Sequence, residues 1–327
     1  MNDRLVRVAV VGVGDFGRNH ARVYRQLEGV ELVGVMDSDS ERARRVADEF
    51  GTRVLPDLDY LSGRVDAASV AVPTSEHARI GCLLLARGID VLVEKPIAAS
   101  LSEADLLSDA ARQYARILQV GHLERFNPAL IAVLPIMKEP LYFEVHRLGV
   151  FSPRSLDIDV LYDVMIHDLD ILLSLADSPV TSIHALGIPV ITDKVDIAHA
   201  RLEFASGTVA NLTASRVSTE RVRKLRFFQE HEYISLDYAR QDALRIRVRQ
   251  PAPQPQFDFE PIPTRPEEPL AAELRAFVDA VRHRTAPLVD ARAGRRALEL
   301  ADKVMAGILE HNQRVQLGAF APPRANG

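Results

Sequence analysis

The chain has 327 residues, with 40 Lys+Arg, 45 Asp+Glu, one Cys and no Trp. At about 100–200 residues per domain, this length predicts two domains. The formal charge of −5 excludes a basic nucleic-acid-binding surface. No apolar stretch approaches the roughly 18 residues that span a bilayer, which excludes membrane insertion. The single Cys82 excludes an internal disulfide and predicts a reducing, cytoplasmic location.

The first third of the chain alternates between β-branched runs and helical patterns. Strands are predicted over residues 5–11, 30–36, 67–72, 89–93 and 117–120. Helices are predicted over residues 16–26, 40–50 (with a Ser cap), 75–87 and 102–114. Strands that are apolar on both faces and alternate with helices are typical of a parallel sheet covered on both sides. We therefore expect residues 1–122 to form a doubly wound α/β domain.

The pattern changes in residues 123–327, where strands follow one another without intervening helices. Helices are predicted over residues 128–137, 160–175, 270–284 and 292–312. Strands are predicted over residues 141–148, 181–188, 197–204, 208–215, 225–229, 233–237 and 244–248. Residues 250–269 carry seven prolines and are interpreted as an ordered connector or edge segment, with a loose loop as the alternative. This succession predicts an α+β domain with a mostly antiparallel sheet.

A glycine-rich loop, G-V-G-D-F-G, directly follows the first predicted strand and opens the first helix. Its residues, the candidates for cofactor binding, are Gly12, Gly14, Asp15, Phe16 and Gly17. In this context the three glycines allow a tight turn, close approach of a pyrophosphate and close helix packing, which indicates a Rossmann domain. Asp37, twenty residues after Gly17, is placed to accept the ribose hydroxyls and favours NAD over NADP. The alternative is a structural glycine turn with a surface Asp.

Two further segments end strands at the carboxyl edge of the predicted sheet, where ligands bind in this architecture. V-A-V-P-T-S-E-H contributes Pro73, Thr74 and His77 as candidate cofactor contacts. V-L-V-E-K-P contributes Glu94 and Lys95, and the following proline is expected to fix the turn, either rigidly or through a cis bond. The alternative for Lys95 is a surface lysine after a strand.

With these motifs the chain resembles the glucose–fructose oxidoreductase/inositol dehydrogenase (Gfo/Idh/MocA) family, and the resemblance covers most of the chain. It implies that Lys95 is the catalytic lysine and that Glu94 is its neighbour in the same motif. Asp163 and His167 match the family's D-x-x-x-H element, and their spacing puts both on one face of a helix. The family often has a Gly-Gly pair before this Asp, whereas this chain reads I-D-V-L-Y-D.

Residues 146–159 resemble the branch of the family that oxidises nucleotide sugars, and in particular UDP-N-acetylglucosamine 3-dehydrogenases. Arg147 and Arg154 are candidates for binding the substrate's diphosphate, with a solvated sheet edge as the alternative. Arg125 and Asn127 begin a linker helix, where they cap the helix or reach the cofactor. No metal site is expected, because the cluster His167-Asp168-Asp170 lacks a second group of ligands.

The resemblance implies an NAD-dependent oxidation of a sugar secondary hydroxyl, with the 3-OH of UDP-N-acetylglucosamine as the expected site. An aminotransferase would consume the 3-keto product, in lipopolysaccharide or lipid A biosynthesis. One alternative is a free-sugar or inositol dehydrogenase of the same family. Another is a non-catalytic nicotinamide-binding regulator, against which Lys95, Asp163 and His167 argue. His167 is assigned as the base because its ordinary pKa lies near neutrality, although Lys95 is an alternative.

The resemblance also implies a homodimer or homotetramer that forms through the sheet of the second domain. In residues 197–204 and 208–214 apolar side chains fall on both faces of the strands, which predicts that the second face is covered as well.

Overall fold

The structure, a computed structural model, describes residues 5–152, 156–249 and 255–315. These residues divide into two compact units. One comprises the described residues of Met1–Phe126 and Glu267–Arg295, and the other those of Asn127–Pro266 and Arg296–Gly327. The sequence predicted a single domain boundary, after residue 122, and did not predict that residues 267–295 return to the first unit. The late segment joins the first unit because its helix contributes Leu274 and Phe277, both fully buried, to that unit's core.

In the described residues, the first unit contains a five-stranded parallel sheet in the order β2-β1-β3-β4-β5. Its strands are β1 Val6–Val11, β2 Val30–Met36, β3 Ala67–Val70, β4 Asp90–Glu94 and β5 Leu118–Gly121. The helices between them are α1 Asp15–Gln26, α2 Ser40–Phe50, α3 His77–Ala86 and α4 Leu101–Gln113. β3 and β4 are buried along their whole length, as strands of a sheet covered on both faces should be. The predicted doubly wound α/β fold is confirmed.

One local prediction in this unit was wrong. The N-cap of α2 is Asp39 rather than Ser40, because the Asp39 carboxylate accepts the backbone N–H groups of Glu41 and Arg42, each at 3.0 Å. Ser40 is the first residue of the helix itself.

The second unit begins with α5 Pro128–Val133, and α6 Ile166–Leu175 follows its first strand. The described strands are β6 Tyr142–Val150, β7 Val180–Ile188, β8 Ile197–Phe204, β9 Val209–Ser218, β10 Val222–Gln229, β11 Glu232–Asp237, β12 Asp242–Arg249 and β13 Gln256–Ile262. They form one sheet in the order β13-β12-β11-β10-β6-β9-β8-β7. Only β6 and β9 pair in parallel among these described neighbours, which confirms a mostly antiparallel sheet.

The proline-rich segment contains β13, which confirms its interpretation as an edge segment. Pro261 lies opposite Leu244 on β12, and an edge position tolerates a residue that lacks a backbone N–H. The chain then continues into α7 Pro269–His283, which belongs to the first unit, and α8 Ala291–Arg314.

One face of the eight-stranded sheet is buried beneath α5, α6 and α8 in a single apolar core. The other face is half-buried and mixed in character, because β8 presents His199, Arg201 and Glu203 there. The prediction of apolar residues on both faces of β8 was therefore wrong. Among the helices of the described ranges, none combines the length and the apolar character that crossing a bilayer requires.

Candidate active site

The glycine-rich loop has the local geometry that binding a dinucleotide requires. Gly12 has φ +84°, and a Cβ there would lie 2.6 Å from the Ala71 carbonyl oxygen. At Gly17 a Cβ would lie 1.8 Å from the Gly12 oxygen, so helix and loop pack as closely as only glycine allows. A Cβ at Gly14 would meet nothing within 4 Å of the described atoms, and no described side chain caps the start of α1. The loop therefore offers open space and helix N–H groups to a pyrophosphate.

Asp37 directly follows β2 beside this loop, with a side chain that is 5% exposed. Its carboxylate accepts the N–H of Val13 at 2.8 Å and that of Asp39 at 2.9 Å. Arg42 lies 3.5 Å from the same carboxylate. An ionised carboxylate has about four acceptor sites, so two backbone bonds leave capacity for ribose hydroxyls. In the loop, Asp15 and Phe16 are exposed.

The E-K-P turn follows β4 at the same edge of the sheet. Lys95 is half-buried, Glu94 is 7% exposed, and the Lys95–Pro96 bond is cis, one of the two forms expected from the sequence. After β3, Pro73 is exposed and Thr74 half-buried.

His77, predicted to contact the cofactor, is 1% exposed. Its ring nitrogens lie 2.9 Å from the Pro96 carbonyl oxygen and 3.0 Å from that of Val72. Burial lowers the pKa of His77, against the opposing effect of these two carbonyls. The side chain therefore joins two loops of this edge.

Asp163 and His167 lie in the second unit, where the predicted continuous helix has an irregular start. Leu161–Met165 form a π-helical turn, and α6 begins at Ile166. Four residues span slightly more than one α-helical turn and less than one π-helical turn, so the two residues remain on one side of the segment. Asp163 is half-buried and His167 is 9% exposed. Irregular π-turns of this kind are frequent at functional sites.

The three candidate arginines have different surroundings. Arg147, on β6, is 5% exposed and donates two hydrogen bonds of 2.8 Å to the carboxylate of Asp168. Its fork is thus already directed at a protein carboxylate. Arg125 is half-buried in the 3-10 helix Leu123–Phe126. Arg154 lies outside the described residues. Asn127 caps α5 by accepting the N–H of Ala129 at 3.1 Å. Capping was one of the two roles predicted for it from the sequence.

Comparison with known proteins places these features in one family. A model of an oxidoreductase family with an NAD-binding Rossmann fold matches residues 6–122, and a model of the GFO/IDH/MocA C-terminal domain matches residues 149–234. UDP-N-acetylglucosamine 3-dehydrogenase of Acidithiobacillus ferrooxidans is 37% identical over 313 residues, which cover 94% of this chain and 99% of that enzyme. The chain belongs to the Gfo/Idh/MocA family.

The solved structure of that Acidithiobacillus ferrooxidans enzyme superposes with a TM-score of 0.87, at 36% identity, over 92% of this chain and 97% of that one. The scyllo-inositol 2-dehydrogenase (NAD(+)) of Bacillus subtilis is 30% identical over 232 residues, or 65% of this chain and 68% of that protein. As a Gfo/Idh/MocA member, the chain is an oxidoreductase with an NAD-binding Rossmann domain. The open space at Gly14 and the carboxylate of Asp37 fit that cofactor.

Two buried residues near the candidate residues form ion pairs that the sequence did not predict. His20 is 0% exposed on α1 and pairs with Glu94, and Asp168 is 2% exposed and pairs with Arg147. The signal for His20 is its place on the buried side of α1, which also includes Ala21 and Tyr24. Among the described residues, no group of three His, Cys, Asp or Glu side chains is arranged to hold a metal ion.

Proposed function

We propose that the chain oxidises the 3-hydroxyl of UDP-N-acetylglucosamine to the 3-keto sugar, with NAD as the hydride acceptor. The observation that carries this proposal is the similarity to the Acidithiobacillus ferrooxidans enzyme, which extends over 94% of this chain at 37% identity. The similarity to the Bacillus subtilis inositol enzyme covers only 65% at 30% identity. In this proposal residues 1–122 bind NAD, and the substrate domain lies within residues 123–327, apart from helix α7, which packs in the first unit.

The proposed chemistry divides between groups that hold NAD and groups that act on the sugar. Bound NAD supplies the acceptor for the hydride that leaves the sugar carbon. Gly12, Gly14 and Asp37 hold its pyrophosphate and ribose, with Asp15, Phe16, Pro73, Thr74 and Glu94 as further proposed contacts. His167 takes the hydroxyl proton, while Lys95 hydrogen-bonds the same oxygen and stabilises the developing negative charge. Asp163 orients the acid–base pair.

A second candidate function, oxidation of a free sugar or inositol, is favoured by one observation. Nε and Nη2 of Arg147 both donate to Asp168, so this arginine is a poor candidate for a diphosphate ligand. Arg125 and Arg154 then remain as the proposed arginine contacts of a nucleotide sugar.

The deciding experiment incubates the purified protein and NAD with UDP-N-acetylglucosamine, UDP-glucose, N-acetylglucosamine, glucose and inositol, and follows NADH. Of these five substrates, we expect only UDP-N-acetylglucosamine to give NADH, and mass spectrometry should identify a keto product. Oxidation of inositol or free glucose in its place would favour the second function. NAD binding without oxidation of any sugar would favour a nicotinamide-binding regulator.

The proposed partner in the cell is a sugar aminotransferase, in lipopolysaccharide or lipid A biosynthesis. Oxidation of a secondary alcohol by NAD is unfavourable near neutral pH, so a reaction that consumes the ketone must draw it forward. We expect little NADH from the nucleotide sugar alone and much more with a ketone trap, or with glutamate and an aminotransferase. An identical yield with and without the trap contradicts this step. We propose a cytoplasmic location because NAD and nucleotide sugars are cytoplasmic metabolites.

We further propose that the chain forms a homodimer, or a tetramer built from it, through the half-buried face of the eight-stranded sheet. A single row of mostly aromatic residues crosses this face from the β13 edge, through register pairs that link Phe259, Ile246, Tyr233, Phe228, Tyr142 and Val209. Phe259 is 65% exposed and Phe228 is 37% exposed. The other four residues of the row are half-buried. Large apolar surface patches are uncommon on monomers and typical of protein interfaces.

Light scattering tests this self-association directly. We expect a dimer or tetramer at micromolar concentration, and Phe228→Glu should shift it toward monomer. Leu106→Glu is the matched control, because Leu106 is 60% exposed on α4 in the first unit. A monomeric wild type, or an equal shift in the control, contradicts the proposed interface.

A further inference from the structure

The turn that carries Lys95 is tied to the protein through the residue before it. Glu94, at the end of β4, has one carboxylate oxygen 2.9 Å from Nε2 of His20. The other oxygen accepts the backbone N–H of Lys95 at 3.3 Å. His20 is 0% exposed on α1, so its ring acts within the protein interior. A hydrogen-bonded path thus runs from α1 through the Glu94 carboxylate to the Lys95 peptide.

The Glu94 carboxylate is tightly enclosed and carries a negative charge. A Cβ at Gly121 on β5 would lie 3.0 Å from its carboxyl carbon and from both its oxygens, so the carboxylate occupies the space a side chain would need. Burial alone would raise the pKa of Glu94, but the hydrogen bond and charge of His20, together with Lys95, hold that pKa below its ordinary value. A charged carboxylate is a stronger hydrogen-bond acceptor than a neutral one. Its charge therefore strengthens the hydrogen bond from the Lys95 N–H.

The same turn is held from its other side by a second buried histidine. His77, the first residue of α3, places Nδ1 2.9 Å from the carbonyl oxygen of Pro96 and Nε2 3.0 Å from that of Val72. Its ring therefore connects the loop after β3 to the residue that follows Lys95. With Glu94 on one side and Pro96 on the other, both neighbours of Lys95 are anchored by buried imidazole rings.

We propose that His20 and His77 are positioning residues for Lys95, His20 through the Glu94 carboxylate and His77 through the Pro96 carbonyl. This inference rests on the proposed function, in which Lys95 contacts the reacting hydroxyl. Both rings are buried, so neither reaches the substrate, and each acts through the turn it holds. A displacement of about 1 Å at a reacting group can lower a rate by about 10²-fold, so loss of either anchor should slow turnover.

The test compares two substitutions of His20 whose side-chain amides differ in length. In His20→Gln the side-chain amide can still donate to Glu94, whereas in His20→Asn it is one methylene too short. His77→Phe keeps the ring but removes both nitrogens. The control is Tyr24→Phe, which removes a buried 2.8 Å hydrogen bond to Ser69 from the same helix as His20 but leaves the turn untouched. His77→Leu, which likewise removes both ring nitrogens, replaces His77→Phe if that variant does not fold.

Two measurements are made on each variant. In the ligand-free protein, hydrogen–deuterium exchange over residues 91–97 should increase in His20→Asn and His77→Phe, while exchange over residues 6–11 stays as in wild type. In turnover, kcat should fall by up to about 10²-fold with a smaller change in KM. His20→Gln should recover both readouts, and Tyr24→Phe should alter neither.

Unchanged exchange over residues 91–97 in both variants, or the same increase in Tyr24→Phe, overturns the proposal. Normal kcat despite increased exchange overturns it too, because the turn would then be free to move without consequence. The exchange measurement needs neither NAD nor sugar. Failure of the proposed function therefore shows itself separately, as a wild-type protein that oxidises no sugar while its exchange pattern is still readable.

Discussion

Arg147 and Asp168 form a bidentate ion pair inside the second unit, with two hydrogen bonds of 2.8 Å and side chains that are 6% and 2% exposed. The guanidinium also lies 5.2 Å from the centre of the Tyr238 ring. Asp168 directly follows His167 on α6, so the pair ties the start of that helix to β6. Arg147 thus has a structural reason to be present that is independent of any diphosphate.

We predict that Arg147→Met lowers the free energy of unfolding by about 3–5 kcal/mol, because it leaves the Asp168 carboxylate buried without its partner. Chemical denaturation measures this loss. The double variant Arg147→Met/Asp168→Leu should regain much of it, since it removes both charges. A substrate-binding arginine would behave differently: the single variant would raise KM for nucleotide sugars at unchanged stability.

Glu273 on α7 predicts a pH-dependent stability. It is 0% exposed, and neither carboxyl oxygen has a hydrogen-bond partner among the described residues. Burial and then the charge of Glu94 raise the pKa of Glu273 well above its ordinary value. The folded protein therefore holds the proton while the unfolded chain releases it near pH 4.3, so stability is lost as pH rises above that value.

The variant Glu273→Gln tests this dependence, because glutamine has nearly the same shape and stays neutral. We expect wild type and variant to be similarly stable at about pH 4, and the variant to be more stable at about pH 8. Denaturation at both pH values gives the comparison. A variant that is less stable than wild type at the higher pH would mean that Glu273 is ionised and usefully paired.

The sequence predicted the parts of this fold that depend on local pattern. Strands that are buried on both faces appear in the sequence as continuous apolar runs. The spacing of the three glycines is characteristic of the single turn between β1 and α1. The assignment of α7 to the first unit depends on contacts of Leu274 and Phe277 with residues far away in the chain, which periodicity does not contain.

The candidate site shows the same division. Lys95 and Asp37 follow strands directly, so their place at the sheet edge is predictable from the strands alone. The interaction of Arg147 with Asp168 and that of His77 with Pro96 join different elements, and sequence spacing carries no signal for such pairs. For this reason the sequence did not predict that the polar atoms of these two side chains make contacts within the protein.

The selectivity for NAD should depend on two residues with opposite effects. Asp37→Ala removes the carboxylate that repels a 2′-phosphate, so the ratio of the NADP to the NAD dissociation constant should fall. The same variant should also weaken NAD binding, since it removes the carboxylate that accepts the Val13 N–H and holds the loop. Arg42→Ala removes the cation 3.5 Å from Asp37 and should raise the ratio.

Fluorescence titration with both dinucleotides measures this ratio. Arg44→Ala is the control, because Arg44 lies on the same helix and is exposed. Tighter binding of NADP than of NAD by the wild type, or equal ratios in Asp37→Ala and Arg44→Ala, would contradict the role assigned to Asp37.

In the proposed mechanism, His167 removes the hydroxyl proton. A histidine with an ordinary pKa of about 6.5 accepts a proton near neutrality, whereas a lysine must first be brought down from about 10.4. We therefore expect His167→Ala to lower kcat by roughly 10²–10⁴-fold, with little change in the NAD dissociation constant. Its activity should partly recover as pH rises, because hydroxide can replace the missing base.

Lys95→Met provides the comparison that separates the two assignments. If Lys95 stabilises the developing oxyanion, its variant should lose turnover at every pH, because hydroxide does not replace a hydrogen-bond donor. Asp163→Asn should fall between wild type and His167→Ala, since it alters only the orientation of the pair. If His167→Ala turns over at nearly the wild-type rate while Lys95→Met is inactive and recovers at high pH, the lysine is the base. Burial beside a cationic nicotinamide would then be the physical cause, because a neighbouring positive charge lowers the pKa of an ammonium group.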